Sequence, residues 1–128
     1  MKIVTAAAVA AAAGFVAIAI FQAALALGAP LGRAAWGGTH ARPAAGLRVA
    51  SAIAAVSWSL AAAVVLARAG VTATFVPDGV ARWGTWSLVV LLVIGVIMNA
   101  ASSSPWERFL WAPLAIVLVV LCYVIAGS

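Results

Sequence analysis

The sequence predicts an all-α membrane protein, a single four-helix transmembrane bundle over residues 1–128 with antiparallel neighbours and short linkers. Three observations point there. Four apolar runs, at residues 3–27, 47–67, 84–101 and 109–126, each come close to the ~20 residues an α-helix needs to cross a bilayer. The chain is 68% hydrophobic and 7% charged. A soluble domain carries ~25% charged residues, so lipid rather than water must solvate this surface. Finally, Lys2, Arg33, Arg42, Arg48, Arg68, Arg82 and Arg108 flank the runs, and none sits well inside one. The net charge of +5 therefore reads as interfacial anchors for anionic head groups, not as a nucleic-acid surface.

The first run follows Met1-Lys2 like a secretory leader. It is longer than the ~7–15 apolar residues of such leaders and carries Gln22 near its end, so a retained helix is expected. Ala6, Ala10, Gly14 and Ala17 lie at helical spacing in the first run, as do Ala50, Ala54, Ser57 and Ala61 in the second. Small faces let backbones approach closely, which drives packing in lipid, so helices one and two are expected to form the tightest pair. Arg42-Pro43 reads as the entry to helix two, because proline is tolerated in a first turn. Trp58, in mid-helix, is expected to pack in the bundle or face lipid.

Pro77-Asp78-Gly79 reads as a tight turn. Arg82, Trp83 and Trp86 then mark the interface where helix three enters. The third and fourth runs are rich in Leu, Val and Ile, which suits the outer surface of a bundle. Ser104-Pro105-Trp106-Glu107 has the S-x-x-E pattern with proline at the first helical position. This is a capping box, with Ser104 accepting from the Glu107 amide and Glu107 from the Ser104 amide. Cys122 is the single cysteine. It forms no internal disulfide and belongs to no C-x-x-C pair, which excludes dithiol redox chemistry and leaves it a small core residue.

The linkers alternate sides. Residues 28–46 and 102–108 share one side; the N-terminus, residues 68–83 and the C-terminus share the other. Basic residues divide almost evenly between them, with a slight lean to a cytoplasmic place for linkers one and three and external termini. On the side of linkers one and three, Gln22, Ser51 and Asn99 lie at similar depths, a few residues inside the boundary at ~1.5 Å per residue. With Trp36, His40, Arg48, Trp106 and Arg108 they form the candidate ligand- or partner-binding end. Two readings compete: a polar pocket roofed by tryptophans, or interhelical glue at ~0.6 kcal/mol per contact. Trp36, Trp106 and Trp111 also make an aromatic belt.

Other chemistry lacks its residues. Asp78 and Glu107 are the only acids and belong to opposite sides, so no carboxylate pair forms. A nucleophile–His–acid group would need His40, which stands alone in a glycine-rich linker. No second ligand stands at metal spacing, and no phosphate loop is present, so neither a metal nor a cofactor is expected. No carboxylate lies within a run, which disfavours proton-coupled antiport of the small multidrug-resistance kind. The leading expectation is a non-enzymatic membrane protein that binds a small ligand or a partner at its polar, Trp- and Arg-lined end. The alternatives are a small oligomeric transporter or channel, for which the helix–linker–helix halves offer a faint internal repeat, and a lipid-directed membrane enzyme.

Residues 21–38, from Phe21-Gln22 through Gly28-Ala-Pro-Leu-Gly32 to Trp36-Gly-Gly, resemble a family of uncharacterised small four-helix integral membrane proteins of actinobacteria and related bacteria. So do Leu47-Arg48-Val-Ala-Ser51 and residues 99–113, with Asn99, Ser104-Pro-Trp106-Glu-Arg108 and Trp111-Ala-Pro113. Where members often carry Trp, this chain has Leu31. The resemblance implies the four-helix architecture and a multi-pass place in a bacterial inner, or plasma, membrane. It implies no activity. The expected partners are the lipid bilayer with its anionic head groups and either a second copy or another membrane protein.

Overall fold

The computed structural model describes residues 2–72 and 76–128. Four helical spans are long and apolar enough to cross a membrane: α1 (Ile3–Ala26), α2 (Ala45–Arg68), α3 (Asp78–Ala100) and Glu107–Ala126, of 24, 24, 23 and 20 residues. The last consists of a π-helical turn, Glu107–Trp111, running directly into α4 (Ala112–Ala126). At ~1.5 Å per residue each covers a ~30 Å hydrocarbon core. α1 pairs most extensively with α2, and α3 with α4, while contacts of α1 with α4 and of α2 with α3 close the ring.

Glycine ends the first two helices by the same device. Gly28 at φ 91° and Gly70 at φ 71° adopt the left-handed conformation just past the cap. The amides of Gly28 and Ala29 then return to the Leu25 and Ala24 carbonyls, and those of Gly70 and Val71 to Ala67 and Leu66, all at 3.0 Å. These bonds satisfy carbonyls that would otherwise be stranded at the helix ends.

The start of helix three differs from its sequence reading. Pro77-Asp78-Gly79 is no tight turn: Pro77 is the cap residue, at φ −62° and ψ 148°, and α3 begins at Asp78. Proline presets the entry angle, and an acid in the first turn meets the positive end of the helix dipole. The linker is correspondingly shorter, and its residues 73–75 lie outside the described residues. Helix two begins at Ala45, with Pro43 ahead of the helix and not in its first turn.

The small-residue face of α1 is also displaced from its expected position. Ala7, Ala8, Ala11, Ala12, Phe15 and Ala19 are buried, whereas Ala6, Ala10 and Ala17 are exposed. In α2 the buried set is Ser51, Ala61, Ala62 and Val65, while Ser57 is exposed and bonds back to the Ile53 carbonyl. Alanine fills both faces of α1, so spacing alone does not choose between them; Phe15 and its partners do. Trp58 stacks on Phe15, with ring centroids 5.5 Å apart and planes 12° from parallel. At Gly14 a Cβ would lie 2.9 Å from Leu118 Cδ2, so this glycine admits α4 to the core. α4 is no mere outer helix, since Ala115, Leu118, Cys122 and Ile125 are buried.

The core occupies one half of the bundle. Ala7, Ala8, Ala11, Ala12 and Phe15, Ala61, Ala62 and Val65, Leu88 and Leu92, and Leu118, Cys122 and Ile125 pack together toward the end that carries the termini. There Arg68 donates to the carbonyls of Ala126 and Ser128, closing the end of α4. Toward linkers one and three the interior is left unfilled.

Candidate functional site

Linker one folds over the bundle end as a roof. Two short 3₁₀ turns, Gly32–Ala34 and Trp36–Gly38, shape it. Trp36, Gly37 and Gly38 in succession take φ values of 49°, 81° and 72°. The roof is fastened at both ends. The Gly32 amide donates to the Ala41 carbonyl at 2.7 Å, and a Cβ at Gly32 would collide with the backbone oxygens of His40 and Ala41.

Four long-range hydrogen bonds then pin the roof to the helices. Trp36 Nε1 donates to the buried Ser51 Oγ of α2 at 3.0 Å. The Gly37 amide donates to Glu107 Oε1 at 3.0 Å. Ser104 Oγ donates to the Arg33 carbonyl at 2.6 Å, and Trp111 Nε1 to the Ala34 carbonyl at 2.9 Å. Trp111 also packs on Phe21 of α1, with ring centroids 4.8 Å apart.

The capping box at Ser104 is half formed. The Glu107 amide approaches Ser104 Oγ at 3.4 Å, but the carboxylate does not return to the Ser104 amide. Ser102 Oγ accepts from that amide at 3.0 Å and itself donates to Glu107 Oε1 at 2.6 Å. Glu107 is thereby freed to reach the roof. The π-turn has a local cause. Pro113 lacks an N–H and cannot continue the regular ladder, and the Ala112 amide bonds to the Glu107 carbonyl five residues back.

Beneath the roof lies a cavity of about 210 Å³. Ile18, Phe21 and Gln22 of α1, Leu91, Leu92, Gly95 and Asn99 of α3, and Leu114, Ala115 and Leu118 of α4 wall it. Ala34, Ala35 and Trp36 cover it, Glu107 and Trp111 reach it from the π-turn, and Trp58 is the sole contribution of α2. Leu91 and Trp36 remain 57% and 41% exposed.

The two intramembrane amides do not act as glue. Asn99 turns back on its own helix, donating to the Gly95 carbonyl at 2.7 Å. The Gln22 Oε1 is buried and has no hydrogen-bond partner. Leaving such a group unpaired costs ~1–3 kcal/mol. Of the residues singled out by sequence, the structure gathers Gln22, Trp36 and Asn99 at the cavity, with Ser51 behind Trp36. It places the others elsewhere. Arg48 donates to the Ala26 carbonyl at 3.1 Å and caps α1 from outside. Arg108 donates to the Ser102 carbonyl at 3.2 and 2.8 Å and lies over the Phe109 ring. His40 is exposed, and Trp106 is 57% exposed.

Glu107, Trp111, Phe21 and Trp58 line the cavity without having been singled out for binding. Phe21 and Trp111 stand in the motifs of the resemblance, and Trp111 in the aromatic belt, but neither pattern points a ring into a cavity; Gly37-Gly38 beside Trp36 does mark a backbone built for left-handed turns. Among the described residues no three His, Cys, Asp or Glu side chains group to hold a metal ion. Comparison with known protein families, with curated proteins and with solved structures gives no match.

Proposed function

We propose that this chain is a non-enzymatic membrane protein that holds a small ligand in the cavity beneath the linker-one roof. One observation carries the reading: an unfilled space of about 210 Å³ has an apolar wall that ends in the polar side chains of Gln22, Asn99 and Glu107. An apolar cavity with a few convergent polar groups at one end is the usual make-up of a small-molecule site. The competing role, bonding between helices, needs the amides to reach across the bundle, and Asn99 instead bonds within α3. The test is small-molecule mass spectrometry on protein purified gently from its own membrane and then denatured. A compound that accompanies the wild type and is missing from Gln22→Ala/Asn99→Ala supports the reading; equal recovery from both proteins overturns it.

The four apolar helices and the Ala- and Arg-rich composition support a multi-pass place in the plasma membrane of a high-GC bacterium, among the small four-helix proteins its linkers resemble. The arginines at the helix ends fit anionic head groups.

A further inference from the structure

We infer that the cavity takes a small organic cation, an ammonium group on an apolar body of single-ring size; this deepens the ligand-binding reading above and rests on it. The polar end of the cavity is anionic and rich in acceptors. The Glu107 carboxylate is held by neutral donors alone, the Gly37 amide and Ser102 Oγ. No described basic side chain pairs with it, because Arg33, Arg48 and Arg108 all donate to backbone carbonyls. Asn99 commits its amide to Gly95, which leaves its Oδ1 as an acceptor. Gln22 lines the same end, with its own Oε1 buried away from the space. No Lys, Arg or His lines the space. An anion is repelled by Glu107 and finds no positive charge there, whereas a cation meets a carboxylate and the Asn99 oxygen.

The walls favour the same ligand. Phe21, Trp36, Trp58 and Trp111 all line the cavity. The indole N–H groups of Trp36 and Trp111 are already bonded, to Ser51 and Ala34, so these rings offer a ligand their π faces and edges. Aromatic faces attract cations, most strongly where water is scarce. A dry cavity of ~150 Å³ takes up benzene, so one of about 210 Å³ has room for a ring and a compact ammonium head.

The test titrates phenyltrimethylammonium and its uncharged isostere tert-butylbenzene against the full chain in dodecyl maltoside micelles, which carry neither charge nor ammonium. Gly95→Leu serves as the filled-cavity control: Gly95 lines the cavity and a Cβ there meets nothing within 4 Å. The wild type is expected to bind the cation at least about tenfold more tightly than the isostere. Glu107→Gln, which keeps an acceptor oxygen for Gly37 and Ser102, is expected to remove most of that preference. Trp58→Leu, remote from the roof, is expected to weaken the cation more than the isostere. Equal affinity for the two probes, or a full preference retained in Glu107→Gln, overturns the cation proposal while the ligand-binding reading stands. Binding of neither probe above the Gly95→Leu control overturns both. A free amine and an amine-headed lipid share this chemistry: displacement of the probe by phosphatidylethanolamine added to the micelles identifies the lipid, and no displacement identifies the free cation.

Discussion

Trp36 sits at φ 49°, in the left-handed region that costs a bulky residue ~1–2 kcal/mol. It is kept there by its bond to Ser51 and by the flanking Gly37–Glu107 bond. The neighbouring glycines separate two kinds of constraint. Gly37, at φ 81° with open space around it, requires only backbone freedom, so Gly37→Ala is expected to destabilise by ~1 kcal/mol. Gly32 is confined by the His40 and Ala41 backbone, so Gly32→Ala is expected to cost more, ~2 kcal/mol or above, by displacing the roof. Thermal unfolding followed by tryptophan fluorescence ranks the two. Trp36→Phe leaves the buried Ser51 hydroxyl without its partner, at ~1–3 kcal/mol. Trp36→Phe/Ser51→Ala is expected to cost less than the sum of the single changes, a coupling that a double-mutant cycle measures. Little of this was legible in the sequence. The sequence names Trp36 both a belt residue and a candidate binding residue, but not the two contacts that hold it: its own with Ser51, 15 positions along the chain, and that of Gly37 with Glu107, across 70 positions.

At the scale of elements, the spans were legible because lipid imposes one requirement on every residue of a crossing helix, and the Gly28 and Gly70 stops reflect their positive φ values. The start of α3 was not, since Pro-Asp-Gly serves a turn or a helix entry equally well. The face of α1 was not, because alanine on every side leaves the choice to Phe15. Linker one, the π-turn and the start of the last span work as one unit through Glu107. Glu107→Ala releases both Gly37 and Ser102, and limited proteolysis is expected to cut residues 28–44 several-fold faster than in wild type. Glu107→Gln keeps an acceptor and is expected to leave the cleavage rate near that of wild type. Equal protection of all three proteins shows that Glu107 does not fasten the roof.

The molecule as a whole divides into a filled half at the terminal end and a hollow half beneath the roof. Sequence placed Gln22, Asn99 and Trp36 at the same end, but it also drew in Arg48, Arg108 and His40, whose charge or imidazole suits a site equally well on paper. What separates them is direction: the arginines turn onto backbone carbonyls of Ala26 and Ser102, while Gln22, Asn99 and Trp36 line the cavity. The measurement that bears most directly on the hollow half is native mass spectrometry of wild type and Gly95→Leu, extracted gently from the same membrane. A small adduct on the wild type that is absent from a folded Gly95→Leu is the expected result. An adduct of unchanged mass and occupancy on both proteins, or bare protein in both, contradicts a ligand held beneath the roof.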